Sequence, residues 1–520
     1  MISALAWVRK GVAAERPTRH EMTEEEYARL QSEAAAEIDD AKRELKEKSM
    51  VDSEILNDPA LKDFDLEHYD SPDDEADAEA AEAADGAHIF SNIKGLSFYN
   101  DDEEDPHLVG NGQDADEDEA EEERVFATDN MLVMAKTEDD ISNIEVCVFE
   151  SESDSLFVHH DFMLPAFPLA VEWLDFGVGR KAGQARGNYV AVGTFEPRIE
   201  IWDLDTLDAA YPDLVLGTAD KKALRRARGQ PHADFHTDAV MGLSWNGNAR
   251  NLLASSSADT TVKLWDLAHG TCVQSYAHHK DKVQAVQWHP SEAAVLLTGA
   301  YDKRVAAFDS RAPQAVSRWK VDADVESVLW DPHSAHHFYV ATESGAVRCF
   351  DVRQAKDGKG GAPVFTLVAH DEAVSAMALH PRVPGVLVTG SADETLKVWD
   401  VRDHRPKMVV SRNVDVGSVF AARFCPDEPM LLAAAGSSGE SRIWDMSTSA
   451  PVRAVFGGAV AAGAAAAAEK PLVRVQHDED EDDDHDNTHA AVIAELRGTA
   501  ANAAAAAASG EDSDASMASD

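Results

Sequence analysis

A ten-residue segment recurs in this chain and limits what the chain can fold into. The run ADTTVKLWDL at 258–267 returns as ADETLKVWDV at 392–401, and both copies place β-branched residues before a Trp-Asp pair. Weaker copies complete a series of aromatic–Asp pairs, namely Trp202-Asp203, Trp265-Asp266, Phe308-Asp309, Phe350-Asp351, Trp399-Asp400 and Trp444-Asp445. A chain with such an internal period folds as an array of similar units.

The spacing of these pairs is regular after the first gap. The aromatic residues of successive pairs are 63, 43, 42, 49 and 45 positions apart. A second apolar anchor keeps the same period, and its members are Trp173, Trp245, Trp288, Trp330, Leu379 and Phe424. Short apolar runs between the anchors alternate with Gly, Asp, Asn and Pro, which is typical of antiparallel strands joined by tight turns. The sequence therefore predicts an all-β fold.

A period of about 40 to 45 residues that ends in Trp-Asp resembles the WD-repeat β-propellers, in which each unit is a four-stranded blade. Six units are visible as aromatic–Asp pairs, and a seventh is predicted at 129–151, where Phe149-Glu150 takes the place of the pair. We therefore expect a seven-bladed WD-repeat β-propeller. Ring closure needs strands from both ends of the region, and we expect them near 125–148 and 452–456, so that no sheet edge stays open.

Three units share polar residues at identical offsets. After a histidine, a Ser or Thr follows at 19 positions, an Asp at 23 and the aromatic residue of the pair at 29. The sets are His236, Ser255, Asp259 and Trp265; His279, Thr298, Asp302 and Phe308; and His370, Thr389, Asp393 and Trp399. They resemble the buried hydrogen-bond chain of WD-repeat blades, in which each polar group satisfies the next. Because Phe308 has no indole, its chain is expected to begin at Thr298.

Composition changes sharply along the chain. Nine of the ten Trp residues lie within 173–444, whereas the flanks are rich in Ala, Asp and Glu, which cannot bury enough apolar surface to offset chain entropy. We expect four regions: an N-terminal segment at 1–48 with a helix over 23–45, an acidic and mostly disordered region at 49–124, the propeller at 125–456, and a disordered acidic, Ala-rich tail at 457–520.

The formal net charge of −49 is concentrated in two tracts. Residues 70–124 contain 21 acidic and 2 basic residues, and residues 478–486 contain 8 acidic residues and no Lys or Arg. Such a chain repels phosphate backbones overall and attracts basic proteins, such as histones or ribosomal proteins. Plain solubility is the alternative reading of the charge.

One basic cluster interrupts this acidity, in the insertion that lengthens the first gap. Its members are Lys221, Lys222, Arg225, Arg226 and Arg228. A mobile basic loop is a candidate RNA contact or nuclear import signal. A solvated loop without a function is the alternative.

The sequence contains no catalytic signature. Three copies of one Ser/Thr, His and Asp arrangement suit a repeated structural brace, and the motifs of phosphate-binding loops, zinc proteases and serine hydrolases are absent. The four cysteines are scattered without a CxxC pair, which argues against zinc and disulfides. Adjacent histidines at 159–160, 278–279 and 336–337 are expected to point to opposite faces of a strand. We predict no enzymatic activity, cofactor or metal, and the sequence shows no signal peptide or membrane span.

Several segments together narrow the resemblance to one family. ALAWVRKGVA, TDNMLV, FVHHDFMLPAFPLAVEWLDF, NYVAVGTFEPRIEIWDLD, HTDAVMGLSWN, ASSSADTTVKLWD and SGESRIWD are similar to the periodic tryptophan protein 1 family. The resemblance implies a nucleolar, and hence nuclear, scaffold of ribosome biogenesis, connected with precursor ribosomal RNA, large-subunit assembly and transcription of ribosomal RNA genes. It also implies partners among ribosome-assembly factors, and a monomer within a larger assembly.

Two further expectations follow from short motifs. Serines in the acidic C-terminal run, Ser509, Ser513, Ser516 and Ser519, suit acidophilic kinases, and phosphate there would strengthen capture of basic partners. Arg311, Arg353 and Arg402 each lie two residues after the Asp of a pair, as in substrate receptors of cullin ubiquitin ligases. That receptor function, and histone binding by a chromatin propeller, are the alternatives to the ribosomal one.

Overall fold

Seven β-sheet blades arranged in a ring form the part of the chain that the structure describes. The computed structural model describes residues 1–20, 123–139, 141–151, 153–184, 186–219, 221–227, 233–356, 358–460 and 470–476. These residues contain thirty strands, of which 28 form seven four-stranded antiparallel blades. The first strand of each blade contacts the first strand of both neighbouring blades, so the ring is closed. The expected seven-bladed WD-repeat propeller is therefore confirmed.

Each blade runs from an inner strand, beside the central channel, to an outer strand at the rim. Blade 1 consists of β1 (Ile2–Val8), β3 (Asn130–Glu138), β4 (Ile141–Glu150) and β5 (Ser155–Leu164). Blade 2 consists of β6 (Pro168–Leu174), β7 (Tyr189–Thr194), β8 (Ile199–Asp203) and β10 (Leu214–Leu216). The two remaining short strands, β2 (Thr18–Arg19) and β9 (Thr206–Leu207), pair with each other in parallel.

The next three blades follow the repeat most closely. Blade 3 consists of β11 (Val240–Trp245), β12 (Leu252–Ser257), β13 (Val262–Asp266) and β14 (Thr271–Tyr276). Blade 4 consists of β15 (Val283–Trp288), β16 (Val295–Ala300), β17 (Arg304–Asp309) and β18 (Val316–Lys320). Blade 5 consists of β19 (Val325–Trp330), β20 (His337–Thr342), β21 (Ala346–Asp351) and β22 (Phe365–Val368).

The last two blades lead to the closure of the ring. Blade 6 consists of β23 (Ala376–Leu379), β24 (Val386–Gly390), β25 (Thr395–Asp400) and β26 (Lys407–Asn413). Blade 7 consists of β27 (Val419–Phe424), β28 (Leu431–Gly436), β29 (Ser441–Asp445) and β30 (Val473–Gln476). β30 pairs antiparallel with β29 and parallel with β5, so blades 7 and 1 share one eight-stranded sheet.

The closing strands differ from those that the sequence predicted. The inner strand of blade 1 is β1, which pairs with β3 from the far side of the acidic region, and the outer strand of blade 7 is β30. The propeller therefore extends beyond the predicted limits of 125 and 456 at both ends. The reason is physical: without β1 the inner edge of β3 would be unpaired, and β1 carries the apolar residues that cover it.

The predicted closing segment at 452–456 is instead part of a helix, α2 (Ala450–Val460), which follows the short helix α1 (Lys221–Ala227). Val452 and Phe456 lie one turn apart on α2 and are both buried between blades 6 and 7. These two apolar residues, which were predicted to be buried by a strand, are thus buried by a helix. The helix predicted over 23–45 lies outside the described residues, as do residues 49–122 of the region predicted to be disordered at 49–124. The tail predicted to be disordered at 457–520 is wrong in part: residues 457–460 belong to α2 and Val473–Gln476 form β30, while 461–469 and 477–520 lie outside the described residues.

Seven apolar clusters lie at the seven junctions between neighbouring blades. Alternate residues of one strand serve different junctions: Leu253 packs toward blade 2, and its neighbour Ala254 packs toward blade 4. The aromatic residue of each aromatic–Asp pair faces the preceding blade. Phe149 does the same toward blade 7, so it occupies the place predicted for it.

Candidate functional site: braces, latches and surfaces

A chain of hydrogen bonds crosses blade 3. The indole Nε1–H of Trp265 donates to the Ser255 hydroxyl at 2.8 Å, and Ser255 lies 2.7 Å from Nε2 of His236. His236 Nδ1 lies 2.9 Å from the Asp259 carboxylate. Because an ionised carboxylate only accepts, Nδ1 carries the imidazole proton, and Nε2 accepts from Ser255. Four residues from three segments thereby satisfy one another, and we call such a set a brace.

Blades 4 and 6 contain the corresponding sets. In blade 6, Trp399 donates to Thr389 at 2.9 Å, and His370 lies 2.8 Å from both Thr389 and Asp393. In blade 4, His279 lies 2.8 Å from Thr298 and 3.2 Å from Asp302. Phe308 contributes no donor, so that chain begins at Thr298. The structure thus brings together the residues of all three sequence-derived sets.

Burial sets the protonation of two braces. Burial lowers the pKa of His236 and His370, and the hydrogen bonds to Asp259 and Asp393 only partly oppose this effect. Burial alone would raise the pKa of Asp259, but hydrogen bonds from His236, Thr261 and the Thr237 N–H hold it well below its usual range. Both braces therefore consist of a neutral imidazole and a carboxylate.

The blades without a brace show what the hydroxyl contributes. Ten positions before the aromatic residue, blade 2 has Val192 and blade 7 has Ala434, where blades 3 and 6 have Ser255 and Thr389. The buried indole N–H groups of Trp202 and Trp444 accordingly make no hydrogen bond of normal geometry among the described residues. Burial raises the pKa of Glu200, and the nearby Arg198 and Trp202 partly oppose this effect. Blades 2 and 7 also lack the histidine and the turn Asp of a brace, so the hydroxyl is one of three brace residues that they miss.

A second set of polar contacts, which the sequence did not predict, connects neighbouring blades. The side chain just before one anchor accepts a hydrogen bond from the backbone N–H of the next blade's anchor. The pairs are Glu172 with Trp245 at 3.1 Å, Ser244 with Trp288 at 3.1 Å, and Gln287 with Trp330 at 2.6 Å. We call these contacts latches. The sequence feature that could have revealed the latches is a polar residue directly before the anchor in three consecutive units.

The inner strands of all seven blades surround a central channel of about 210 Å³. Glu172, Glu326 and Arg423 lie in its wall with several Ser and Gln residues. Burial raises the pKa of Glu172, while Arg423 and the Trp245 N–H act in the opposite direction. The channel is therefore a narrow polar passage.

The three arginines that suggested a ubiquitin-ligase receptor are exposed, and each pairs with the Asp of its own blade. Arg311 lies 2.7 Å from Asp309. Arg353 lies 2.7 Å from Asp351, and Arg402 lies 2.6 Å from Asp400. Each guanidinium also makes a second hydrogen bond to that carboxylate. This pairing within one turn accounts for the motif in structural terms.

Two predictions about surface residues need correction. The basic cluster begins in the helix Lys221–Ala227 and not in a loop, with Arg226 exposed; Arg228 and the side chains of Lys221, Lys222 and Arg225 lie outside the described residues. The adjacent histidines 159 and 160 share a side, with Nδ1 atoms 2.7 Å apart. The pairing of β4 and β5 shifts there, leaving His159 as an extra bulge residue.

Burial, followed by the charge of His159, lowers the pKa of His160 to about 3. Within the described ranges, no three His, Cys, Asp or Glu side chains are grouped so that they could hold a metal ion. No helix among those residues combines the length and apolar character needed to cross a membrane. Ser509, Ser513, Ser516 and Ser519 lie outside the described residues.

Comparison with known proteins agrees with this architecture. The chain matches the family described as WD domain, G-beta repeat, over residues 230–266, 270–309 and 361–400. An uncharacterized WD repeat-containing protein of Schizosaccharomyces pombe is 40% identical over 480 residues, which cover 88% of this chain and 91% of that protein.

Two further relatives have a named family. Periodic tryptophan protein 1 of Saccharomyces cerevisiae is 35% identical over 523 residues, covering 88% of this chain and 90% of that protein. The periodic tryptophan protein 1 homolog of Drosophila melanogaster is 34% identical over 473 residues, covering 88% of this chain and 96% of that protein. With the repeated anchors and the closed ring of blades, this coverage shows that the chain belongs to the periodic tryptophan protein 1 family.

Proposed function

We propose that this chain is a non-catalytic scaffold of ribosome biogenesis that acts in the nucleolus. The observation that carries the proposal is the likeness to periodic tryptophan protein 1 over 88% of the chain. The role that we assign is in precursor ribosomal RNA processing and large-subunit assembly, extending to transcription of ribosomal RNA genes. The chain would act as a monomer within a larger particle, without a cofactor.

The ring geometry supports a positioning role. Braces stabilise single blades, and latches together with the apolar clusters hold neighbouring blades in fixed relation. Loops at both ends of the blades offer separate surfaces for different partners. The hydroxyls of the braces are poor candidates for a nucleophile, because Ser255 accepts from Trp265 and donates to His236 within a buried network. Their hydrogen bonds stabilise the blade.

The acidic tracts support partners of basic character. Residues 20–122 are an insertion between β1 and β3, and the flanking residues Arg19 and Glu123 form an ion pair at 2.5 Å. The second tract begins two residues after β30. Both tracts are thus attached to the sheet shared by blades 1 and 7, where they would capture basic ribosomal proteins, histones or assembly factors.

The basic cluster and the terminal serines have regulatory parts in this proposal. Lys221, Lys222, Arg225, Arg226 and Arg228 would serve nuclear import or contact precursor RNA. Phosphate on the serines at 509, 513, 516 and 519 would add charge to the acidic tail and strengthen its hold on basic partners.

Affinity purification of the tagged full chain, with protein and RNA identification, tests the function. We expect precursor ribosomal RNA and large-subunit assembly factors to be recovered, and the tagged chain to accumulate in the nucleolus. Recovery of a cullin adaptor in their place, abolished by replacing Arg311, Arg353 and Arg402 with Ala, would favour the ubiquitin-ligase function. Histones recovered without ribosomal RNA would favour a chromatin propeller.

A further inference from the structure

We propose that the rim of blade 4 holds a binding site for the phosphates of an RNA backbone. The inference rests on the proposed function and names a surface through which it would operate. Four cations, Arg304, Arg318, Lys320 and Lys359, line a depression of about 880 Å³. We call these four residues the basic edge. It is separate from the cluster at 221–228, which lies before blade 3.

The basic edge is assembled from two blades. Arg318 and Lys320 belong to β18, and they lie two residues apart, so their side chains leave the same face of the strand. Arg304 of β17 is the cross-strand neighbour of Lys320. Lys359 comes from a blade 5 loop that pairs with β18 at Arg318. Because the residues from the two blades are about 40 positions apart in sequence, no local sequence motif predicts the site.

The loop that carries Lys359 is held in place by contacts of its own. The Gly360 N–H donates to the Arg318 carbonyl at 2.6 Å, and the Arg318 N–H donates to the Gly358 carbonyl at 3.1 Å. Gly360 lies over the indole of Trp319, where an added Cβ would come within 2.0 Å of Cδ1. Trp319 is 2% exposed. Glycine is therefore required for the loop to cover this ring, and the backbone of Lys359 is held beside β18.

The charges of the basic edge are available to a ligand. Arg304, Lys320 and Lys359 are exposed, and Arg318 is half-buried. Among the described residues, which leave out Asp357, none of the four forms an ion pair, whereas nearby Arg348 and Arg353 are paired with Asp322 and Asp351. Four free cations in one depression, on a chain of net charge −49, form a local anion-attracting field.

The geometry favours a nucleic-acid backbone over an acidic peptide. An extended peptide gains affinity at a sheet rim by pairing its main chain with the outer strand. Here the Arg318 N–H and carbonyl are already bonded to Gly358 and Gly360. A sugar–phosphate backbone needs no such pairing, because guanidinium and ammonium groups bind its phosphates directly. Residues two apart on β18 are separated by about 7 Å, which suits successive phosphates of an extended strand.

The test compares two charge-reversed full-length variants. The first is K320E/K359E, which alters one exposed cation from each blade of the basic edge. The matched control is R405E/K407E, which makes the same charge change at exposed positions on the rim of blade 6. Binding to a labelled oligouridylate of about 20 nucleotides is measured by fluorescence anisotropy over a salt series, and thermal unfolding confirms that both variants fold.

We expect K320E/K359E to weaken RNA binding at least about tenfold and to reduce the slope of log affinity against log salt by about 1.4, since each lost phosphate contact on a single strand contributes about 0.7. The control should change both quantities much less. Equal effects of the two variants, no RNA binding by the natural chain, or equally tight binding of polyglutamate would overturn the inference.

Failure of the site and failure of the function remain distinguishable. If the natural chain co-purifies with precursor particles but K320E/K359E binds the oligonucleotide normally, only the site is wrong. If the natural chain binds RNA through the basic edge but recovers no precursor particles, only the ribosomal function is wrong. A Gly360→Ala variant adds a further check, because displacing the loop from Trp319 should weaken RNA binding while Lys359 is retained.

Discussion

The indole of Trp265 donates its N–H to the hydroxyl of Ser255 across 2.8 Å, inside a blade where both side chains are almost completely buried. The same hydroxyl is the donor for His236. One oxygen thus connects an indole to an imidazole, and the residue at its position separates braced blades from unbraced ones.

Replacing Ser255 with Ala should destabilise the chain by about 1–3 kcal/mol, because the indole N–H and the imidazole Nε2 would both be buried without a partner. Chemical denaturation measures the loss. Ser317→Ala is the control, since the Ser317 hydroxyl makes no hydrogen bond among the described residues. A loss no larger than that of the control would show that the brace contributes nothing.

Adding a buried hydroxyl in a blade without a brace should not lower the stability of the fold. Val192→Thr keeps the side-chain volume and offers an acceptor to the unpartnered N–H of Trp202. We expect it to be neutral or stabilising. Val388→Thr buries the same hydroxyl in blade 6, on the face away from Trp399, and should cost about 1–3 kcal/mol. Equal losses from the two substitutions would contradict this view of the brace.

Acid should weaken the fold through the brace histidines. Burial lowers the pKa of His370 below its ordinary value of 6.5, so the unfolded chain binds this proton at a higher pH than the folded chain. The stabilisation is complete above about pH 6.5 and is lost as the pH falls further, by up to about 1.4 kcal/mol per pH unit for one histidine.

This pH dependence is measured by unfolding at several pH values. His370→Gln keeps a donor for Asp393 and an acceptor for Thr389 but does not titrate. The variant should therefore lose stability less steeply than the natural chain below pH 6.5. Parallel curves would show that His370 does not titrate as described.

Two substitutions at Glu172 distinguish the contribution of the latch hydrogen bond to stability from the contribution of the carboxylate charge. Burial raises the pKa of Glu172, so the ionised carboxylate is unfavourable in the folded chain. The stability that Glu172 contributes is therefore fully present below the pKa of the unfolded chain and is lost as the pH rises through the pKa of the folded chain. Glu172→Gln keeps an acceptor for Trp245 and should be neutral or stabilising at pH 7. Glu172→Ala should cost about 1–3 kcal/mol. The order of the two variants in thermal unfolding decides the point, and the reverse order would exclude the latch.

The repeated parts of the molecule could be predicted from the sequence because each repeat solves the same physical problem. A buried Trp needs an acceptor, and the fixed offsets to Ser255 and Thr389 reveal it. Phe149 could be placed as the seventh unit because Phe149-Glu150 takes the position of the aromatic–Asp pair. Because Phe308 has no indole N–H, the hydrogen-bond chain of blade 4 could be predicted to begin at Thr298.

The closing and inter-blade features could not be predicted in this way. β1 is separated from its partner β3 by more than 100 residues, and β30 has only four residues, so neither has a local periodic signal. The shared side of His159 and His160 depends on a bulge that is decided by pairing. The basic edge depends on a contact between Arg318 and a loop of the next blade. Each of these features depends on pairing between segments of the folded chain and not on a local sequence pattern.

The central claim is that the first residues of the chain close a seven-bladed ring. Hydrogen exchange of the full chain, followed residue by residue, tests it most directly. The backbone amides of Ile2–Val8 should be protected to the same degree as those of Val240–Trp245, an inner strand of an ordinary blade. Rapid exchange of Ile2–Val8 while Val240–Trp245 stays protected would contradict the account.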